Sequence, residues 1–297
     1  MTEYAIYFDS SKCTGCRGCQ VACKTWNELP SPIYSDEVEF KGTYQNPPDI
    51  NENTRRIVTF REEKRDGSRY FIDWAFGQRA CQHCTDAECV KVCPSGCLQH
   101  DETGFVTFDR DKCIGCQYCR SACPYDVPRH TGIGISGADI KINKCTGCPD
   151  RIAHDMEPAC VHTCQPGALQ FGPRDEMLER AEKRVEWLKQ KGFDKARVYG
   201  KDEMGGLHCI AALKYDISMY PSYVEHPEGN VLTAVENVAK PLAGVAAVGV
   251  AAGLGISYLT GRGYKRDQMY YDEKTHDEVD VDTGEVVRHI DKEAGER

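Results

Sequence analysis

Sixteen of the eighteen cysteines in this 297-residue chain fall into four groups of four. The first group is Cys13, Cys16, Cys19 and Cys23. The second is Cys81, Cys84, Cys89 and Cys93, followed by Pro94. The third is Cys113, Cys116, Cys119 and Cys123, followed by Pro124. The fourth is Cys145 and Cys148, then Cys160 and Cys164, with Pro166 two residues on. Whatever these thiols bind decides how the chain folds. Disulfide frameworks belong mostly to small secreted domains. The start, Met1-Thr2-Glu3-Tyr4-Ala5, has neither the basic nor the apolar region of a cleavable signal. Metal ligation is the better reading.

Spacing narrows the metal. Structural zinc usually takes two separated cysteine pairs. A four-iron cube needs four thiolates at tetrahedral corners. Three cysteines on a tight loop wrap three corners, and glycines such as Gly15, Gly115 and Gly147 permit the turn. Runs of four cysteines ending in Cys-Pro are the mark of [4Fe–4S] sites, and in two-cluster ferredoxins the fourth cysteine ligates the other cluster. None of the groups lacks a thiolate, as a three-iron site would.

Groups therefore pair and exchange their last ligands. The second and third are adjacent in sequence, joined by a strand at Gly104–Phe108. Cys81, Cys84, Cys89 and Cys123 would hold one cluster, and Cys113, Cys116, Cys119 and Cys93 another. The first and fourth then pair around them. Cys13, Cys16, Cys19 and Cys164 would hold a third cluster, and Cys145, Cys148, Cys160 and Cys23 a fourth. The expected fold class is α+β: two ferredoxin-like modules for two [4Fe–4S] clusters each, one inserted in the other, and a C-terminal single transmembrane helix. The split module occupies residues 1–30 and 135–173, and the inserted one 76–134.

The rest of the chain is read around these modules. A net charge of -9 argues against a nucleic-acid partner, which wants a basic face. At 40% hydrophobic residues, many of them cysteine, a large aliphatic core is not expected to hold the fold unaided. Tyr4–Phe8 alternates as a strand. Residues 31–75 read as an insertion that contacts a partner. Within it Ile57–Phe60 and Tyr70–Ile72 flank Arg65-Asp66-Gly67-Ser68 as a hairpin. Residues 174–230 read as an amphipathic helix and connector. Asp175 caps the helix, Met177, Leu178, Ala181, Val185 and Leu188 form its apolar stripe, and Gly192 ends it.

Residues 231–261 read as a membrane anchor. The uncharged stretch 241–259 is long enough to cross a bilayer core of ~30 Å at about 1.5 Å per residue. Residues 262–297 read as a loosely ordered polar tail. Cys97 and Cys209 fall outside the pattern and read as small buried hydrophobes. His83, between Cys81 and Cys84, suggests a hydrogen bond that tunes a cluster rather than a ligand. No acid–base or nucleophile constellation stands out, so the chain is expected to be non-catalytic on its own.

Three stretches carry a family resemblance. Cys113 to Arg129 resembles the iron–sulfur subunits of molybdopterin oxidoreductases. Cys13 to Asn27 and Pro158 to Gly172 are similar to the first and fourth cysteine groups of that family. The helix ending at Gly192, the step at Lys240-Pro241-Leu242-Ala243 and the single span after it narrow the likeness to the beta subunits of membrane-bound respiratory formate dehydrogenases. It covers residues 1–262. Two positions depart from the pattern: Gln165 separates Cys164 from its proline, and Cys97 is usually not cysteine.

The resemblance implies a relay. A separate subunit with a molybdenum or tungsten bis-pterin would oxidise formate. Electrons would pass through four clusters here to a membrane cytochrome b subunit and quinone. The chain would sit on the cytoplasmic (inner) membrane as a single-pass protein. Arg262, Lys265 and Arg266 after the span outnumber Lys240 before it. That bias puts the tail in the cytoplasm and the clusters on the periplasmic side. The motifs alone leave open an equivalent subunit of a hydrogenase or sulfur-compound reductase, and a cluster-stapled scaffold without redox duty.

Overall fold

The computed structural model describes residues 2–30, 44–64, 72–132, 140–229, 246, 248–260 and 269–290. Two compact units divide the chain at residues 236 and 237. The first begins with strand β1 (Tyr4–Asp9) and helix α1 (Gly18–Trp26). Strands β2 (Ile57–Lys64) and β3 (Ile72–Arg79) then pair antiparallel from Ile57 opposite Arg79 to Lys64 opposite Ile72. The expected hairpin is there, with a second strand longer than its sequence pattern suggested. Its expected turn, and Tyr70, lie outside the described residues.

Short elements follow, each set between cysteines. They are α2 (Glu88–Lys91), β4 (Leu98–His100), β5 (Val106–Phe108), α3 (Tyr118–Ala122), β6 (Arg129–Thr131), β7 (Lys141–Asn143), α4 (Pro149–Ile152) and α5 (Ala159–His162). Strands β4 and β5 pair antiparallel, as do β6 and β7. After the fourth cysteine group come β8 (Leu169–Pro173), α6 (Arg174–Gln190), β9 (Arg197–Tyr199) and β10 (Cys209–Leu213).

One mixed sheet organises the unit, in the order β8-β1-β10-β9. β1 runs antiparallel to β8 and parallel to β10. Side chains alternate across a strand, and β1 is buried on both faces for that reason. Ala5 and Tyr7 meet Met177, Ala181, Val185 and Leu188 of α6, together with Ile210 and Ala212 of β10. Ile6 and Phe8 face the other way, into a core shared with Cys19, Cys81, Cys145 and Cys160. Thus α6 covers one face and the cysteine loops cover the other. The stretch expected to be only helix and connector supplies two of the four strands.

The apolar stripe of α6 is as expected, with Leu178 only partly buried. Its N-terminus is not capped by Asp175. Pro173 holds the N-cap position without a side-chain bond, and Asp175 and Glu176 lie in the first turn, where acidic groups favour the helix dipole. Gly192 follows the helix at φ 90°, the conformation that ends helices cheaply.

In the second unit residues 248–260 are helical and exposed. Among the described residues no helix is long and apolar enough to cross a membrane. Residues 231–245 and 247 of the expected anchor lie outside the described residues, as do 261–268 and 291–297 of the tail. The rest of the tail is not loose. β11 (Met269–Asp272), β12 (Asp277–Asp280) and β13 (Val286–His289) form an antiparallel three-stranded sheet. Tyr270 stands opposite Val279, and Val279 opposite Val286. Such aromatic and β-branched pairs stabilise strands by roughly 0.2–1 kcal/mol each. Gly284 at φ 70° makes the second turn, its N–H donating to Asp280 O at 2.8 Å. High charge concealed this pattern from the sequence reading.

Candidate metal centres

Each cysteine loop begins with a left-handed residue. Gly15, Gly115 and Gly147 have φ of 67°, 72° and 80°. At Gly147 the need is absolute, because a Cβ would sit 2.6 Å from Phe105 Cγ. Arg17 and Gln117 take nearly the same left-handed conformation just before α1 and α3. The first and third groups are therefore built alike. So are the ends of the second and fourth. Gly96 and Gly167, each three residues after the last cysteine, have φ of 62° and 63°. Their N–H groups donate to Cys93 O at 3.4 Å and Cys164 O at 3.0 Å. Gln165 therefore leaves this turn intact; its proline has moved one place.

Two of the expected sets line cavities of their own, each drawing its fourth member from another group. Cys13, Cys16, Cys19 and Cys164 line a cavity enclosing about 300 Å³ of space between atoms. Cys113, Cys116, Cys119 and Cys93 line a second, of about 280 Å³. Thiols of the other two expected sets act on one another electrostatically. Burial pushes the Cys84 thiol upward, and Cys81, Cys123 and Cys89 add to it. Burial likewise raises Cys23, with Cys145, Cys160 and Cys148 nearby. Cys123 itself is pushed up to about 11, first by burial, and it feels Cys81 across the module.

Thiols of different expected sets also act on one another: Cys160 on Cys19, Cys145 on Cys81 and Cys89 on Cys119. Cys16 is exposed, as is Val21 five residues on, and Ile114 and Tyr118 are exposed on either side of Cys116.

Several N–H groups point at sulfur. Leu169 N donates to Cys164 Sγ at 3.2 Å, and Ile142 N to Cys113 Sγ at 3.4 Å. Leu98 N does the same for Cys93. Burial pushes the Cys93 thiol up, but this bond and those from Ser95 and Cys97 outweigh it and hold the thiol below its usual range. Such bonds stabilise a thiolate. Among the described residues no three His, Cys, Asp or Glu side chains are set to hold a single metal ion. A four-iron cube is wider than one ion and keeps its thiolates further apart.

The remaining expected residues are placed as follows. His83 is fully buried at φ 49°, and its Nδ1 accepts from Val106 N at 3.0 Å. This side-chain bond fixes β5, while the His83 backbone N–H bonds the Cys81 thiol and favours its thiolate. Cys97 is buried and lines the cavity of the Cys113 set. Cys209 is half-buried, and its Sγ donates to Cys81 O at 3.3 Å. Both touch the cysteine sets more closely than a plain core residue would.

Sequence reasoning missed two buried cations. Arg56 donates from Nη1 to Gln78 Oε1 at 2.9 Å. Lys144 Nζ donates to Val106 O and to Cys145 O. Burying an unpaired ion costs on the order of several kcal/mol, so both need an anion. A thiolate-bound cluster, negatively charged, fits that need and the four-sulfur sets.

A mixed sheet backed by one helix on one face, with cysteine loops packed on its other face and in an adjoining core, is the framework of an iron–sulfur protein. Residues 72–174 match the 4Fe-4S dicluster domain. The formate dehydrogenase, nitrate-inducible, iron-sulfur subunit of Escherichia coli (strain K12) is 36% identical over 262 residues, covering 86% of this chain and 85% of that protein. The formate dehydrogenase 2 subunit beta (cytochrome c-553) of Nitratidesulfovibrio vulgaris is 34% identical over 228 residues, covering 74% of this chain and 99% of that protein. A subunit of the anaerobic dimethyl sulfoxide reductase of E. coli is 36% identical over 179 residues, covering 60% of this chain and 78% of that protein. This protein belongs to the iron–sulfur electron-transfer subunits of the formate dehydrogenase family.

Proposed function

We propose that this chain relays electrons through four [4Fe–4S] clusters from a molybdenum or tungsten formate dehydrogenase catalytic subunit to a membrane cytochrome b and quinone. The observation that carries it is the crossed grouping of the cysteines. Cys13, Cys16, Cys19 and Cys164 hold one cluster, and Cys145, Cys148, Cys160 and Cys23 the next. Cys81, Cys84, Cys89 and Cys123 hold the third, and Cys113, Cys116, Cys119 and Cys93 the fourth. Each bound cluster supplies one-electron storage. Four sites in one small domain support a wire over a scaffold, since one site would suffice as a staple. The hairpin in residues 31–75 would contact a partner.

Formate is favoured by coverage. The likeness to formate dehydrogenase subunits extends over 262 residues, whereas that to the sulfoxide reductase subunit stops at 179. The second reading, a sulfur-compound reductase subunit, rests on that shorter match. Purified anaerobically from its host, the chain should carry about sixteen iron atoms, four per cluster. It should co-purify with a large pterin-containing subunit that oxidises formate. Iron near twelve would refute the four-cluster claim, zinc in its place would refute the function, and a large subunit inactive on formate would move the reading to another substrate.

The anchor reading is also ours. A span at residues 241–259 would pack against cytochrome b helices, since Gly249 and Gly253 form a small-xxx-small pair with open space around both. A cysteine placed after Gly263 should resist a membrane-impermeant thiol reagent in intact cells and react once they are opened. Reaction in intact cells would reverse the orientation. Extraction of the assembled complex without detergent would remove the span.

A further inference from the structure

Two cations lie deep among the cysteine sets, and neither pairs with a carboxylate among the described residues. Arg56 is 2% exposed, and its Nε has no hydrogen-bond partner there. Its one bond goes to Gln78, whose Oε1 lies 3.8 Å from Cys19 Sγ. The guanidinium also lines one cavity with Cys81 and Cys209. After the cost of burial, the thiols that act on it most are those of Cys160, Cys145, Cys209 and Cys19. Lys144 is 2% exposed, and its Nζ stands 3.9 Å from Cys81 Sγ and bonds the carbonyl of Cys145. Arg56 thus stands where the Cys13 and Cys145 sets meet, and Lys144 where the Cys145 and Cys81 sets meet.

We propose that Arg56 and Lys144 are built-in counter-charges that make the clusters beside them easier to reduce. This rests on the four-cluster reading above. A cube held by four thiolates is anionic before reduction and gains one more negative charge with the electron. A fixed positive charge in a low-dielectric interior stabilises the reduced form more than the oxidised one. The effect needs a buried charge without a competing carboxylate, and both residues meet that condition. Arg56 acts on the Cys13 and Cys145 clusters. Lys144 acts on those of Cys145 and Cys81. The Cys113 cluster, reached by neither, serves as an internal reference.

The test is a spectroscopically monitored redox titration of the intact complex, with iron analysis, for wild type, Arg56→Met, Arg56→Lys and Lys144→Met. In Arg56→Met the reduced-to-oxidised ratio at fixed potential should fall about tenfold or more at the Cys13 and Cys145 clusters, a lowering of about 59 mV per decade for one electron. Arg56→Lys should recover most of it. Lys144→Met should lower the Cys81 cluster and spare that of Cys13. Full iron with unmoved potentials in Arg56→Met would overturn the proposal. If that variant loses iron, Arg56→Lys decides: iron retained there shows that the charge is required, and iron lost there too shows a packing role and ends the idea. Fewer than four clusters in the wild type would fault the functional reading instead.

Discussion

Cys123→Ser should cost the chain the cluster of Cys81, Cys84 and Cys89, and leave that of Cys113, Cys116 and Cys119 in place. Cys123 belongs by sequence to the third group, four residues past Cys119. Folding turns it across the module. The short helix α3 ends at Cys123, whose extended backbone carries the chain away from its own loop. Buried beside Cys81, the thiol has the other set as its company. A serine hydroxyl is a far poorer iron ligand than a thiolate, so the whole cube or one of its irons is lost. Iron should fall from about sixteen toward about twelve, and the missing spectral component should be the one that Cys84→Ser also removes. If the lost component is instead the one removed by Cys116→Ser, ligation is not crossed. Cys97→Ser, by contrast, should retain all the iron.

Stripping the iron should unfold the cysteine loops while the layer of β1, β10 and α6 keeps its protection. Native stability is about 5–15 kcal/mol in total. A single structural metal site can supply folding energy of about 10 kcal/mol or more. Four clusters therefore outweigh everything else that holds residues 13–23 and 81–164. Their core contains Cys19, Cys81, Cys145 and Cys160 as packing residues. The other core, around Ala5, Tyr7, Met177, Ala181, Val185 and Leu188, contains no ligand cysteine. Hydrogen exchange after anaerobic chelation should show amides of the loops opening first and those of α6 last. Uniform loss of protection would mean that the sheet layer has no stability of its own. Unchanged protection in the loops would mean that the clusters are not structural.

Much of the site was legible because cluster ligation imposes local spacing. Three cysteines within seven residues in the first and third groups, and within nine in the second, leave a mark that survives without any view of the fold. The exchange of last ligands was expected from the two-cluster ferredoxin pattern, and the cavities that join Cys164 to Cys13 and Cys93 to Cys113 are consistent with it. What stayed hidden depends on distant packing. Lys12, Lys112 and Lys144 each stand directly before the first cysteine of a group, yet the first two are exposed and the third is buried. Nothing in their sequence context separates them. Arg56 precedes an ordinary strand, and its burial comes from Gln78 and Cys209, both remote in sequence. The sheet of residues 269–289 was missed because charged residues interrupt its apolar pairs, and β10 because it reads as any short apolar run.

The position of β1 has a consequence for synthesis. Strand β1 is an inner strand of the sheet and is made well before its partners, Leu169–Pro173 and Cys209–Leu213. It therefore waits unpaired while more than half of the chain is made. Residues 76–134 carry all the cysteines of the second and third groups and can begin to gather iron meanwhile, although residues 82–86 gain their backbone partners at 204–209 only later. The Cys13 and Cys145 sets cannot be completed until Cys160 and Cys164 have emerged. Maturation is thus ordered by topology: both halves are sealed only when the segment around β10 arrives, beside β1 on one side and against residues 82–86 on the other.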